Sequence, residues 1–491
     1  MTTDPRLRAT IALHRFGFGP VPGSIAAIAD DPRGALLADL ERPGAGRVAA
    51  ANLPDSAQAS RAFFEFRAER QAQQKLAQRA KQQGAANGTG VAMTDDNAVD
   101  NAMDENADAQ PSEQGAGQNQ QRPQNQQPQL PALLVQNEAK IRIEAAVGAE
   151  IGFVERLVWF WSNHFCVSID KILSMAGAYE REAIRPHVLG RFLEMLIAVE
   201  SHPAMLYYLD NVESVGPNSV AGINRGKGLN ENLAREALEL HTLGARAGYS
   251  QADVTSFANV LTGWAFIGTG VPGHGGEFVF VKRLHEPGEQ IVLGKSYPDT
   301  GFAQGGAVLA DLARHPATAQ HIAQKLARHF VADEPPPSLV AKLENTFKDS
   351  DGDLKEVAKT LIVAEESWTP ERTKLKPPSQ WHIAALRLTG AQGAAGRFMR
   401  GQALLGEPLW RPPAPNGFSD YQSEWIDGLS QRLDIAGGFA GRVAERLDPI
   451  ALVEHGLGPL ASAETRDTVA RAESRAQALT LLLMAPEFLR S

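Results

Sequence analysis

The segment GLNENLAREALELHTLGA, residues 228–245, combines amide, carboxylate and imidazole side chains with an apolar pattern. At about 100° per residue, the apolar positions form one stripe that begins at Leu229 and favours a buried helix over 229–243. Glu236 and His241 border this stripe on its two edges, about 140° apart, so we expect both to be partly buried. A carboxylate and an imidazole are common partners in general acid–base catalysis, which makes the segment a candidate catalytic element.

The same angular separation argues against one metal ion held by both Glu236 and His241, because each side chain faces a different neighbouring helix. No metal ligand set is predicted, and no cofactor can be assigned. A half-buried carboxylate is commonly neutralised by a basic side chain, so we expect Glu236 to be paired with a cation. A half-buried histidine commonly hydrogen-bonds a backbone carbonyl, so a purely structural role is the alternative for each residue.

Other polar side chains also stand where helices or turns end, which is where pockets tend to form. LVWFWSNHFCVS carries Asn163 and His164 after a run of aromatic residues, and RLHEPG places His285 beside a turn. We expect these elements to meet the start of the 229–243 helix around one cleft. The predicted catalytic residues are His164, Glu236, His241 and His285, and the predicted substrate-binding residues are Asn163, Asn230, Asn232, Glu239, Asp253 and Trp264.

The elements that would position these residues are mostly helical. Pro203 and Pro316 fall just inside helical patterns, where proline suits the first turn, and Asp253 could cap a helix that ends near Thr262. One stretch, EFVFVKRLHEPGEQIVLG, alternates on both sides of Pro287-Gly288 and predicts a β-hairpin near 276–294. The fold class is therefore mainly α, a multi-helical globular protein with a small β-hairpin and a disordered polar insertion.

Composition divides the chain into four parts. Residues 1–66 form an N-terminal helical segment of the core, and residues 67–131 are rich in Gln, Asn and Ala. The first part of that stretch could extend a helix, but the rest is too polar to offset its ordering entropy, so we expect a disordered insertion. Residues 132–395 form the main helical domain with the hairpin, and residues 396–491 form a C-terminal helical segment that packs on it.

Bulk properties exclude several classes of protein. The 491 residues carry a formal net charge of −9, so there is no general basic footprint for nucleic acid. A single cysteine, Cys166, rules out an internal disulfide and a cysteine-based zinc site, and its apolar neighbours predict a buried thiol. No apolar run is long enough to span a membrane, and the N-terminus lacks the features of a signal peptide. We therefore expect a cytoplasmic protein, the alternative being export with a partner or from a misassigned start.

Familiar catalytic motifs are incomplete or absent in the chain. The GxGxxG match at Gly268, Gly270 and Gly273 leads into a strand pattern, whereas a dinucleotide site needs it between a strand and a helix. The chain contains no HExxH, Glu-x-x-His or GxSxG, which argues against the corresponding zinc peptidases, di-iron bundles and serine hydrolases.

Several stretches together resemble a large bacterial family catalogued as domain of unknown function 1800. They are RFGFGP at 15–20, WFWSNHF at 159–165, HPAMLYYLDN at 202–211, LNENLAREALELHTLG with YSQADVTSFANVLTGW, HPATAQHIAQKLARHFV at 315–331, KLKPPSQW at 374–381 and PPAPNGF at 412–418. Two positions depart from the family pattern: Ser162 replaces the first histidine of a common WHNHF, and Glu286 follows His285 where an aspartate is common.

The resemblance implies a mostly helical fold and supplies no established reaction. It also implies a sulfatase-like companion protein as partner, since family members are often encoded beside one. Two hypotheses follow. The first is a hydrolase or group-transfer enzyme that uses a His/Glu/Asn-lined cleft on a polar, carbohydrate-like or peptide substrate; the second is a non-catalytic helical partner or chaperone-like subunit of the companion.

Overall fold

The computed structural model describes residues 4–49, 52–86, 130–225, 228–245, 247–268, 270–271, 274–392 and 395–491. The chain divides into two units, Met1–Phe63 with Pro131–Ser491 and, separately, Phe64–Leu130. The predicted mainly α fold is confirmed. Of the predicted disordered insertion, residues 67–86 continue a helix as the sequence allowed, and residues 87–129 lie outside the described residues.

Most of the described residues lie in α-helices, which follow one another along the chain. In order they are α1 (Pro5–Arg15), α2 (Ser24–Ala27), α3 (Pro32–Glu41), α4 (Ser56–Ala86), α5 (Leu130–Gly148), α6 (Phe153–His164), α7 (Ile169–Ile172), α8 (Ala176–Tyr179), α9 (Phe192–Glu200), α10 (Pro203–Tyr208), α11 (Gly222–Arg225), α12 (Asn232–Glu236), α13 (Gln251–Leu261), α14 (Phe302–Arg314), α15 (Pro316–Phe330), α16 (Pro337–Asp349), α17 (Leu354–Val363), α18 (Pro378–Thr389), α19 (Ala395–Leu404), α20 (Ser423–Ile426), α21 (Leu429–Val443), α22 (Pro449–Gly456), α23 (Ala463–Ala470), α24 (Arg475–Leu483) and α25 (Pro486–Leu489). Short 3-10 turns occupy Leu173–Met175, Arg185–His187, Asn211–Glu213, Lys282–Leu284, Glu365–Trp368, Ala444–Arg446 and Gly458–Leu460.

Local sequence explains many helix ends. Pro203 and Pro316 open α10 and α15 as predicted, because a residue at the first helical position needs no N–H partner. Ser250 and Asp253 form a capping box at α13, in which each side chain accepts from the backbone N–H of the other residue.

Helix α6 is the centre of the first unit and is buried on nearly every side. Phe153 packs edge-on against Phe16 and Phe330, and Trp161 lies against Phe165 and Phe192. Its charged residues Glu155 and Arg156 are buried together with the apolar ones, so the helix lies in the interior of the unit. Its carboxyl end therefore delivers polar side chains into the protein interior.

Two segments of the described residues are π-helical, Glu180–Ile184 and Ala237–Thr242. The continuous α-helix predicted over 229–243 is wrong in two respects: α12 begins only at Asn232, and it ends at Glu236, where the π-helical turn follows. In that turn the Thr242 hydroxyl donates to the Ala237 carbonyl oxygen at 2.6 Å. A π-turn aligns residues five apart, so Glu236 and His241 lie on more nearly one side than the predicted 140°.

The β-structure consists of two antiparallel pairs in the described residues. Strand β1 (Trp264–Phe266) pairs with β2 (Phe278–Phe280), and β3 (Gln290–Val292) pairs with β4 (Lys295–Tyr297). The predicted turn at Pro287-Gly288 therefore does not join two paired strands. The reason is a tertiary contact, since the backbone N–H of Glu286 donates to the Thr262 hydroxyl at 2.7 Å and ties this stretch to the end of α13.

Among the residues with described structure, no helix combines the length and the apolarity needed to cross a membrane.

Candidate functional site

A pocket opens at the carboxyl end of α6, between α15 and the chain from 377 to 425. It contains about 720 Å³ of space that protein atoms do not occupy, part of it open to solvent. Its wall is mixed, with indole rings beside ionisable and amide groups. The polar side chains that line it are Arg142, Arg156, Ser162, Asn163, His329, Ser379, Gln380, Gln402, Glu407, Ser419 and Asp420.

One histidine and one aspartate on this wall form a close pair. His329 Nδ1 lies 2.7 Å from Asp420 Oδ1, and both side chains are almost buried. Because a carboxylate accepts, Nδ1 carries the proton and Nε2 carries the lone pair. Arg156 Nη2 donates to that Nε2 at 3.3 Å, and Arg156 Nη1 donates to the Gly17 carbonyl oxygen at 2.8 Å.

The pKa values of both members of this pair are lowered, as a neutral base and an ionised carboxylate that orients it require. Burial lowers the pKa of His329 below its ordinary 6.5, although Asp420 opposes the change, so the imidazole is neutral at pH 7. Burial would raise the pKa of Asp420, but His329, Lys374 and Lys325 lower it to about 2. Asp420 is therefore ionised across the physiological range and fixes the tautomer of His329.

A buried ion-pair network holds two of the pocket-lining residues, Arg142 and Ser162. Glu180 accepts from Arg142 Nε at 2.7 Å, from Ser162 Oγ at 2.9 Å and from Arg185 Nε at 3.1 Å. Arg185 in turn binds Glu155 at 2.8 Å. Burial would raise the pKa of Glu180, yet Arg142 and Arg185 bring it below the ordinary value, so the carboxylate is charged and holds both guanidinium groups.

Glu407 and Cys166 complete the ionisable groups of the wall. The Glu407 carboxylate accepts from the Ser379 backbone N–H at 2.7 Å and the Ser379 hydroxyl at 2.8 Å, which satisfies the first turn of α18. Burial raises the pKa of Glu407 above its ordinary value. Burial also raises the pKa of Cys166 to about 12, so the thiol is buried as predicted and protonated at neutral pH.

Two of the predicted catalytic residues, His164 and His241, lie next to each other. His164 Nε2 is 3.2 Å from the His241 carbonyl oxygen, and the two ring centroids are 6.3 Å apart. His241 Nδ1 lies 2.6 Å from Glu200 Oε1, and both side chains are fully buried. This cluster also contacts Phe165, whose ring packs edge-on against both imidazoles.

Glu236 corrects one expectation. It is half-buried as predicted, but no cation lies within ion-pair distance of it among the described residues. Burial is the main cause that raises the pKa of Glu236, and His241 and Arg235 lower it only partly. The carboxyl group can tolerate this position because a raised pKa reduces its charge and a half-exposed side chain keeps contact with water.

His285 and several predicted binding residues lie in a second group around α13. His285 Nδ1 is 2.9 Å from the Thr262 carbonyl oxygen, and its Nε2 is 3.5 Å from Asp299. Trp264 follows in β1 and accepts from Asn211 Nδ2 through its carbonyl at 3.0 Å. No described hydrogen bond, ion pair or ring contact joins His285 to His164, and their convergence on one cleft stays a prediction.

The remaining predicted residues have local partners. Asn230 accepts the Asn232 backbone N–H at 2.9 Å, and Glu239 accepts the Tyr249 hydroxyl at 3.0 Å. Asp253 caps α13 and accepts the Leu293 backbone N–H at 2.7 Å. Asn163 alone of these lines the pocket, where it holds Phe418 by donating to its carbonyl at 2.9 Å and accepting its N–H at 2.8 Å.

Sequence reasoning missed the His329–Asp420 pair. A signal was present, because Ile322, Leu326 and His329 are spaced four and three residues apart on one face of α15, which places an imidazole among buried aliphatic residues. Asp420 carried no comparable signal, since it follows a loop and meets His329 across 91 residues of sequence.

The described part of the chain contains no group of three or more His, Cys, Asp or Glu residues arranged to hold a metal ion.

Fold and site together define a mainly helical protein whose central helix ends at a pocket lined by ionisable groups and indoles. The family model described as "Protein of unknown function (DUF1800)" matches residues 11–490, so the chain belongs to this family. No curated protein and no solved structure matches the chain significantly.

Proposed function

We propose that this protein is an enzyme of the hydrolase or group-transfer type and that the pocket at the end of α6 binds its polar substrate. The observation that carries the proposal is the His329–Asp420 pair, 2.7 Å apart, on the wall of that pocket. A neutral imidazole oriented by a carboxylate is a common general base.

In the proposed reaction, the Arg156 N–H group that donates to His329 Nε2 turns to the substrate oxygen, which frees the lone pair of Nε2. Nε2 then removes a proton from a water molecule or a substrate hydroxyl group as that oxygen attacks the substrate. The imidazolium returns the proton to the leaving group. Asp420 remains ionised and stabilises the imidazolium that forms, because its pKa is held at about 2. The guanidinium of Arg156, 3.3 Å from Nε2, is placed to stabilise negative charge on the substrate oxygen.

The attacking group in this scheme is not the cysteine. Cys166 lines the same pocket, but its pKa of about 12 keeps it as a thiol, and its Sγ is 3.1 Å from the Pro415 carbonyl oxygen. A thiol that is protonated and engaged in this way is a poor nucleophile. Direct activation of water or of an acceptor hydroxyl fits the geometry better than a covalent thioester.

A substrate panel tests this proposal. Purified protein is assayed on esters, glycosides, phosphate and sulfate esters and peptides, together with His329→Gln and, as a control, His455→Gln on an exposed helix position. Loss of the base should lower kcat/KM by roughly 10²- to 10⁴-fold in the first variant and leave the second at the wild-type level. Turnover that survives His329→Gln unchanged would contradict the proposal, as would a folded protein with no turnover anywhere in the panel.

A further inference from the structure

Hydrogen-bond donors without a protein acceptor gather on one wall of the pocket. Trp159 Nε1, Trp410 Nε1 and Gln402 Nε2 are buried and meet no acceptor among the described residues, and all three side chains line the pocket. Arg142 binds Glu180 through Nε, and its two terminal nitrogens have no hydrogen bond to a described group. Buried donors in native proteins are almost always satisfied, so a cluster of unsatisfied donors points to a ligand that supplies acceptors.

Three of these side chains lie together, and Gln402 lines the same pocket. The Arg142 guanidinium carbon lies 3.9 Å from the centroid of the Trp159 ring and 5.6 Å from that of Trp410. Trp410 has φ of 53°, a left-handed conformation that is unusual for a bulky side chain. Such strain persists only where the surrounding structure enforces it, and it is common at binding sites.

Two buried guanidinium groups at or near the pocket, those of Arg156 and Arg432, have no carboxylate within ion-pair distance among the described residues. Arg156 lines the pocket and donates to a backbone carbonyl, with no carboxylate in ion-pair distance among the described residues. Arg432 is buried and donates to the Lys376 carbonyl oxygen at 2.9 Å. An anion bound in the pocket would offset the charge of these guanidinium groups.

We propose that Arg142, Trp159, Trp410 and Gln402 form an oxyanion subsite that binds a carboxylate, sulfate or phosphate group of the substrate. The inference deepens the proposed function and rests on it, because the subsite shares its pocket with His329. A guanidinium presents two parallel donors that match two oxygens of such a group, and the indole and amide N–H groups can bind the remaining lone pairs.

The test measures binding by titration calorimetry with inorganic sulfate, inorganic phosphate and glucuronate, which separate the three oxyanion chemistries. Glucose is the neutral control, and ionic strength is held constant with chloride. The variant Gln402→Leu removes one donor at nearly constant shape, and Trp410→Phe removes one donor together with part of the ring. Trp368→Phe is the matched control, since its indole already donates to the Ile362 carbonyl at 2.6 Å and lies outside the pocket lining.

We expect at least one of the anions to bind the wild type and glucose not to bind. Each donor variant should bind that anion with an affinity lower by about tenfold or more, because hydrogen bonds to charged groups are stronger than hydrogen bonds between neutral groups. Trp368→Phe should bind as the wild type does. Equal affinity in Gln402→Leu, Trp410→Phe and the wild type, or no anion binding by the wild type, would overturn the subsite. A circular dichroism spectrum equal to that of the wild type shows that a variant is folded. The rise in the melting temperature of the wild type on addition of the anion is a second measurement of binding, and it needs no variant.

Binding and turnover fail independently in this design. Anion binding without any turnover that depends on His329 would support the subsite and contradict the proposed reaction. Turnover of neutral substrates that depends on His329, without any anion binding, would support the proposed reaction and contradict the subsite.

Discussion

Removal of the charge on Glu180 should destabilise the protein strongly. The side chain is buried, and its two oxygens accept from Arg142 at 2.7 Å, Ser162 at 2.9 Å and Arg185 at 3.1 Å. In Glu180→Gln, one acceptor becomes an NH₂ group that faces a guanidinium, and Arg142 loses its only described ion pair. Removing one partner of a buried pair typically costs about 3–5 kcal/mol because the other charge stays buried, and we expect that range for this variant.

Chemical denaturation followed by circular dichroism measures the effect. The matched control is Glu144→Gln, whose side chain is 62% exposed and lies 3.8 Å from Lys140. An exposed pair of this kind contributes little, so the control should lose at most about 0.5 kcal/mol. A loss below about 1 kcal/mol in Glu180→Gln, at an unchanged denaturant slope, would show that water reaches the network and would refute the reasoning.

Three further predictions concern single ionisable groups. Asp420→Asn should lower kcat/KM by roughly 10²-fold or more, since His329 loses its orienting carboxylate. Because the pKa of Asp420 is lowered to about 2, the carboxylate stabilises the fold above about pH 4 and this contribution is lost as pH falls towards 2, so acid denaturation should begin at higher pH in the variant. Equal kcat/KM values and equal acid denaturation curves would contradict this prediction. Cys166 should resist a thiol reagent such as DTNB at pH 8 in the native protein and react after unfolding in guanidinium, because burial raises its pKa to about 12, whereas rapid native labelling would exclude this environment. The pKa of Glu236 is raised in the folded protein, so its charge opposes folding at pH values above the pKa that Glu236 has in the unfolded chain. Glu236→Gln should therefore be at least as stable as the wild type at pH 8, and the difference in stability should disappear as pH falls through that pKa. A less stable variant at pH 8 would show that Glu236 has a cation partner.

Features that depend on neighbouring residues could be predicted from the sequence. Pro316 opens α15 and the Ser250–Asp253 box opens α13 because both act within one helical turn. The π-helix at Ala237–Thr242 could not be predicted from a period of 3.6 residues, since the bond from the Thr242 hydroxyl to the Ala237 carbonyl spans five residues. The pairing of β2 with β1 could not be predicted either, because an alternating pattern does not tell which neighbouring strand is the partner.

The candidate site was predicted only in part. Asn163 lines the pocket and His164 lies beside His241, as expected for polar groups at the end of a buried helix. The pair that carries the proposed function joins His329 to Asp420 across 91 residues, a contact that depends on the tertiary fold. No residue type or spacing near Asp420 marks it as the partner of a histidine.

The protonation state of His329 is the property on which the proposed reaction depends most directly, and histidine-selective ¹⁵N NMR measures it without a known substrate. Comparison with His329→Gln assigns the signal. We predict a neutral imidazole at pH 7 with the proton on Nδ1 and an unprotonated Nε2, and a change of that signal in Asp420→Asn. An imidazolium at pH 7, or a neutral ring with the proton on Nε2, would contradict the central claim that His329 is a base held by Asp420.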